Sequence, residues 1–340
     1  MRCSFLSAAL AASAFLGPFS AISILLGNDD GFGSAQIREF YRLLKESGHQ
    51  VVMVAPADNE SSQGGRSVFT TNNSTSTPPG APSLGRDPND ADIWYYNGTA
   101  AACTFVALDY VLPNFYSNRS IDLYVDGPNF GLNQGYFFYT LSGTIGGTFA
   151  AIQRNIPGVA FSGGDSEQRS YAWINKTTAS GYPDPATIQA QLATNLANQL
   201  VNSSQGARPL MSAGFGLNVN TPVITSPTND SCVNPPSIQT RLGGGATTDK
   251  AILITDGNNV CINGNCALPG ETPVVDNGCY GSVSVFSIDY DAPMGPAQHG
   301  LRAALQPLVA YENPDAKMML KARESMSRED AAARHPLRQA

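Results

Sequence analysis

From residue 22 onward, short apolar runs and amphipathic runs alternate along the chain. ISILLG (22–27), a short apolar run broken only by Ser23, reads as a buried strand. Ser34 to Gln50 follow with helical spacing: Ile37, Phe40, Tyr41 and Leu44 share one face, and Gly48 stands where a helix C-cap belongs. VVMVAP (51–56) is rich in β-branched residues and predicts a second strand. A strand, a helix and a strand in that order predict parallel pairing, because two parallel strands need a crossover. Residues 70–92 are rich in Thr, Asn, Pro and Gly and predict a loop or a loose hairpin. WYYNG then leads into a helix at about 100–112, IDLYVD (121–126) into a strand, and GPNFGLNQG into a glycine-broken segment. A helix starting near Gly143 and a core strand IPGVAFSG (156–163) complete the regular part.

After residue 165 the pattern loosens. DPATIQAQLATNLANQLVN (184–202) predicts a helix, GFGLNVNTPV a strand, and SVSVFSIDYD an alternating strand, with a last helix at about 296–311. Residues 225–280 are Gly/Asn/Pro-rich and carry most of the cysteines, and the tail from Glu312 is charged and predicted to be disordered. No internal repeat is present. The expected organisation is a leader (1–21), a domain over 22–311 with its core in 22–165 and an extension in 166–311, and a tail over 312–340.

The leader MRCSFLSAALAASAFLGPFSA has a charged start at Arg2, an apolar run from Leu6 to Leu16, and small residues with Pro18. It reads as a secretory signal peptide, too short to cross roughly 30 Å of hydrocarbon. Secretion agrees with eight N-x-S/T sequons, at Asn59, Asn72, Asn73, Asn97, Asn118, Asn175, Asn202 and Asn229. Asn118, Asn175, Asn202 and Asn229 are the expected glycan carriers. In an oxidising compartment, CINGNC suggests a Cys261–Cys266 bridge, with Cys232–Cys279 as a second pair and Cys103 as a buried free thiol. The net charge of −7 offers no basic stripe for a nucleic acid polymer. A small anion remains acceptable, since a metal or a helix N-terminus makes a site locally positive.

Two adjacent carboxylates, Asp29 and Asp30, follow the first strand, and their repulsion needs an offset. Ser61 lies in the loop after the second strand and Asn129 in the loop after the strand at 121–126. All three loops open at the carboxyl edge of a parallel sheet, where such sheets bind ligands. Two carboxylates, a hydroxyl and an amide oxygen form a hard, all-oxygen set suited to Mg²⁺, Mn²⁺ or Ca²⁺ rather than zinc. In LSGTIGG (141–147), Ser142 and Thr144 flank Gly143 at a helix start, an arrangement that binds phosphate. Each piece alone has a plainer reading: DDG is common in turns and caps, Ser142 or Thr144 is often an ordinary N-cap, and Asn129 beside Pro128 and Gly131 is turn chemistry. Their convergence on one edge favours metal-assisted phosphate chemistry. The G-F-G-S-A-Q stretch lacks the third glycine of a dinucleotide fingerprint. No G-x-S-x-G elbow is present, and His49, His299 and His335 are scattered.

LLGNDDGFGSAQI, VVMVAPADNESSQGG, YYNGTAAAC, DLYVDGPNFGLNQG, LSGTIGGTFAAI and IPGVAFSG, in this order, resemble the SurE family of metal-dependent nucleotidases and acid phosphatases. GPNFG with LSGT looks most like its secreted fungal-type branch. The resemblance covers residues 22 to 165 and weakens toward 290. It implies a Rossmann-like α/β fold, a parallel sheet with helices on both faces, with an extended, loop-rich C-terminal part that often mediates homodimer formation. It also implies hydrolysis of phosphate monoesters, on nucleoside monophosphates or more broadly, with Mg²⁺ or Mn²⁺ as cofactor. Asp29, Asp30, Ser61 and Asn129 match the family's metal ligands, and Asn133, Ser142, Gly143 and Thr144 its phosphate-contacting positions. Asp29 and Asp30 are the expected catalytic pair, whether metal-bound water or an aspartate attacks phosphorus. The chain departs from the family at Asp126, where serine is usual, and at Ala100 and Ala102, where proline and aspartate are usual. These departures motivate the alternative of a catalytically impaired metal- or phosphate-binding glycoprotein. A purely structural secreted protein is the third class.

Overall fold

A computed structural model describes residues 21–73, 80–117, 119–165, 168–175, 178–224, 232–243, 268–276, 278–287, 290–291 and 295–310. Residues 1–20 of the predicted leader, the tail and the Cys261–Cys266 pair lie outside these residues, as do Asn118 and Asn229; Asn175 and Asn202 are exposed.

The opening unit follows its pattern closely. Strand β1 (Ser23–Gly27) is followed by helix α1 (Ala35–Glu46) and strand β2 (Gln50–Pro56), and β1 and β2 pair in parallel. Gly48 ends α1 at φ +89, so residue 48 takes the left-handed conformation that a side chain resists. Strands β3 (Leu84–Arg86) and β4 (Ile93–Tyr96) form an antiparallel hairpin, and β4 pairs in parallel with β2. Helix α2 (Ala100–Val106) runs through a π-helical stretch (Ala107–Val111) into α3 (Leu112–Phe115). Strand β5 (Leu123–Phe130), helices α4 (Gly135–Leu141) and α5 (Gly143–Ile152), and strand β6 (Gly158–Asp165) complete the regular half.

The second half continues with α6 (Pro185–Ser203), β7 (Phe215–Ile224), β8 (Ser237–Thr240), α7 (Glu271–Asp276), β9 (Gly281–Ser287), β10 (Tyr290–Asp291), α8 (Pro296–Leu305) and β11 (Val309–Ala310). The strand order is β11-β8-β9-β7-β6-β5-β1-β2-β4-β3, with β10 on β9. From β4 to β7 the pairing is parallel; β9 reverses against β7, and β8 and β11 follow its direction. One face carries α1, α6 and α8 over a core including Ile24, Leu26, Phe40, Phe161 and Leu200. The other carries α2 over Leu25, Val52 and Tyr124, and α5 against Phe286. The expected α/β sheet with helices on both faces is therefore present.

Three details differ from the sequence pattern. The strand expected to end at Asp126 continues to Phe130, so Asn129 lies on a strand rather than in a loop. Gly127, at φ +103, absorbs a register shift between Asp126 and Asn129, and the ladder then resumes against β6. The predicted last helix stops at Leu305, because Gln306 precedes Pro307 and sits extended at φ −68, ψ 141. Helices α4 and α7 and strand β8 lie in stretches whose glycines and prolines masked them. Cys232 and Cys279 form the expected disulfide with Cα atoms 5.3 Å apart, and Cys103 is a buried free thiol.

Candidate functional site

The chain leaves β1 toward β2 on one side and later returns to β5 on the other, so β1 is the switch point of the sheet. A crevice opens there at the carboxyl ends of the strands. Asp29 and Asp30 stand at the end of β1 and Asn129 near the end of β5, and all three are buried. Asn28 shapes the turn beneath them by donating to the Gly31 carbonyl (3.0 Å) and to Ser34 Oγ (3.1 Å).

The two carboxylates face different partners. Asp29 Oδ1 accepts from the Thr144 hydroxyl at 3.0 Å, and Oδ2 accepts from the Thr144 amide at 3.2 Å. The N-terminus of α5 thus aims at Asp29, and its positive end offsets part of the carboxylate's charge. Gly143, the first residue of α5, fits against this carboxylate: a Cβ there would lie 2.7 Å from Asp29 Oδ2 and 2.8 Å from Asp29 Cβ. Asp30 Oδ2 accepts from the Phe130 amide and Oδ1 from Gln168 Nε2, both at 2.7 Å. The Asn129 side-chain nitrogen donates to the Gly131 carbonyl at 2.9 Å.

The other expected residues take distinct places. Asn133 Nδ2 donates to Ser162 Oγ (2.8 Å) and to Thr144 Oγ1 (3.4 Å), which joins it to the Asp29 network. Ser142 Oγ accepts from the Ile145 amide at 3.2 Å, so this hydroxyl caps α5 as the plainer reading held. Ser61 is exposed on its loop, which is tied to the site through the Glu60 amide on the Asp29 carbonyl at 2.7 Å. Gln168 and Ser162 were not singled out from the sequence. Both belong to β6 or the loop beyond it, at the same sheet edge, and that placement was the available signal.

Burial pushes both aspartates toward the neutral acid. Asp29 is raised by burial against the opposing pull of Thr144, and Asp30 is pushed up to about 8 by burial and then by the charge of Asp29. Among the described residues no Lys or Arg forms an ion pair with either. Two buried carboxyls without a cationic side chain, at the sheet edge that also carries Asn129 and the Glu60-anchored loop of Ser61, fit a hard divalent cation. The cation's effect should depend on pH. Both carboxyls are raised, so the metal-free fold loses stability as pH climbs from the ordinary 3.8 toward about 8, where the unfolded state releases protons that the folded state keeps. A cation replaces those protons. Mg²⁺ or Mn²⁺ at about 100 times its Kd is expected to raise Tm by about 5 °C near pH 8 and by much less near pH 4.5. Thermal melts at both pH values read this, and equal shifts would contradict it.

Asp126 does not join the carboxylate pair by hydrogen bonding. It is fully buried, and its Oδ2 accepts from the Tyr124 hydroxyl, which also meets Thr104 Oγ1 at 2.9 Å. A Cβ at Gly147 would collide with that same Oδ2, so the Asp126 carboxyl points under α5. Burial first, and then Asp29 and Asp30, raise it well above the usual carboxylate range.

Residues 24–243 match the family model described as Survival protein SurE. An acid phosphatase of Yarrowia lipolytica is 40% identical over 297 residues, covering 81% of this chain and 81% of that protein. A 5'-nucleotidase SurE of Protochlamydia amoebophila is 32% identical over 152 residues, covering 44% of this chain and 53% of its own. The crystal structure of the SurE protein from Aquifex aeolicus superposes with a TM-score of 0.51 at 23% identity, over 78% of this chain and 94% of that one.

Proposed function

The chain belongs to the SurE family, and from that premise we propose that it is a secreted, divalent-metal-dependent phosphomonoesterase acting on nucleoside monophosphates and a broader range of phosphate monoesters. The observation that carries this reading is the buried Asp29–Asp30 pair set against the N-terminus of α5, with no cationic side chain on either carboxylate among the described residues. A breadth beyond nucleotides is supported by the relative with the longest matched span quoted above, which is named an acid phosphatase. An oxidising destination is supported by the Cys232–Cys279 bridge.

In this reading Asp29, Asp30, Asn129 and Ser61 hold the cation. When bound, the cation supplies Lewis-acid polarisation of the phosphoryl oxygens and neutralises the charge that accumulates as the ester bond breaks. The chain's own part is orientation. Asn133 Nδ2 stands 3.4 Å from Thr144 Oγ1, whose hydroxyl holds Asp29, and the N-terminal end of α5 adds positive potential there. The reaction adds water to phosphorus and releases an alcohol and inorganic phosphate. Asp126 is turned under α5 and bonds Tyr124 instead of the Asp29–Asp30 pair, and Thr99 is held independently of the substitutions at 100 and 102. Its hydroxyl donates to the Arg66 carbonyl at 2.6 Å and accepts from the Val68 amide at 3.1 Å.

The decisive assay is phosphate release from an aryl phosphate and from a nucleoside monophosphate by the secreted protein, with chelator and then with Mg²⁺ or Mn²⁺ restored. Loss with chelator and recovery with metal is expected for both substrates. No release under any metal from folded protein would overturn the reading.

A further inference from the structure

A second network of buried polar groups reaches the phosphate cradle from the far end of the chain. Glu271 opens α7, and its side chain is fully buried. Oε2 accepts from the Gly135 amide at 3.2 Å, and Oε1 accepts from Asn218 Nδ2 at 2.9 Å. The same Asn218 nitrogen donates to the Asn133 carbonyl at 2.8 Å, while the Asn133 amide donates to Asn220 Oδ1 at 2.8 Å. One position further, Gln134 Nε2 donates to Asp276 Oδ1 at 2.8 Å, at the other end of α7. Residues 133–135 are therefore tied at their backbone and side chains to α7 and β7, 85 to 142 positions away in the chain.

These ties have a defined consequence for the cradle. Gly135 sits at φ +73, a left-handed turn that aims its N–H at Glu271 and starts α4. With both main-chain polar groups of Asn133 engaged, its carboxamide is left to reach Ser162 and Thr144. Thr144 in turn bonds Asp29, so hydrogen bonds on either side of Asn133, joined through that residue's own covalent frame, link Glu271 to the metal-site aspartate. A carboxylate buried in an apolar fold is costly, and it persists where donors satisfy it. We propose that Glu271 is a positioning residue: through Asn218 and Gly135 it fixes the backbone of Asn133, and so holds the Asn133 carboxamide in the phosphate cradle. The C-terminal extension would then complete the catalytic core and not merely append to it.

The inference rests on the phosphatase reading, and a double-mutant cycle separates the two. Wild type, Asn133→Ala, Glu271→Ala and the double variant are compared for kcat, KM and inorganic phosphate affinity by calorimetry with Mn²⁺ present. Glu271→Ala is expected to weaken phosphate binding and raise KM by about 10-fold or more, with Mn²⁺ affinity within about twofold of wild type. In the double variant the Glu271 change is expected to add nothing to Asn133→Ala. Multiplying losses, or unchanged phosphate affinity in Glu271→Ala, would overturn the proposal. Where Glu271→Ala does not fold, Asn218→Ala and Glu271→Gln carry the same cycle. The glutamine puts an –NH₂ against a donor while keeping one acceptor, so it should fall between wild type and alanine. Phosphate binding reads the cycle without turnover, so a wild type that binds phosphate but hydrolyses nothing would sink the phosphatase reading alone.

Discussion

Replacing Asp29 by asparagine is expected to lower metal-dependent phosphate release by about 10³-fold, the scale of removing a charge aimed at the reacting centre. The change is nearly isosteric. The Asn carbonyl can keep the bond from the Thr144 amide, now 3.2 Å from Oδ2, and the –NH₂ can donate to Thr144 Oγ1, now 3.0 Å from Oδ1. The fold should therefore persist. In chelator its Tm should equal or exceed that of wild type, because a buried carboxyl raised by burial has been removed. The cation-induced rise in Tm should vanish together with activity. That pairing matters: a variant that is inactive because it is misfolded lowers both melts, whereas loss of a ligand lowers only the metal-bound one. Activity within about tenfold of wild type would remove Asp29 from the centre.

Asp29 was also the most legible part of the molecule. The apolar run ISILLG, the periodic helix after it and VVMVAP fixed a parallel pair, and a parallel pair fixes the edge where its loops open. The Asp pair could be gathered at that edge because it follows an element with a strong local pattern, and Thr144 because LSGTIGG marks a helix start, whereas Asn133 came only from the family resemblance. Asn129 was gathered too, but on the wrong element. Gly-Pro-Asn has the chemistry of a turn, and only pairing with β6 returns that segment to the sheet. Ser142 shows the opposite limit, since nothing local distinguishes a hydroxyl that caps its helix from one that meets a ligand.

The C-terminal half was opaque for a different reason. Strand β8 has four residues and α7 six, too short for any period to register. Glu271 reaches Gly135 across 136 positions, and no spacing rule encodes such a contact. One signal was available in β7: Asn218 and Asn220 alternate within GLNVNTP, so both face the same side of a buried strand and require polar partners there.

Gly143→Ala should separate the geometry of the site from its composition. The substitution removes no ligand, and Gly143 does not occupy the left-handed region, so alanine is acceptable to the backbone and favours the helix. The new methyl would nevertheless stand 2.7 Å from Asp29 Oδ2 and 2.8 Å from its Cβ. Asp29 has a short side chain anchored at the end of β1, so relief must come by turning its carboxylate or by moving the first turn of α5. Either breaks the match between Asp29 and Thr144. We expect a loss of about 1–3 kcal/mol in stability from the overpacked contact. The loss in kcat/KM should be much larger, about 10²-fold or more, because a displacement of this size spoils the alignment of the reacting groups. Gly33→Ala, in the turn between Asp30 and α1, is the control: its Cβ meets nothing within 4 Å, and both stability and activity should hold. If Gly143→Ala retained activity within about threefold of wild type, the carboxylate would have room to turn without consequence, and the orientation imposed by α5 on Asp29 would not be what sets the rate.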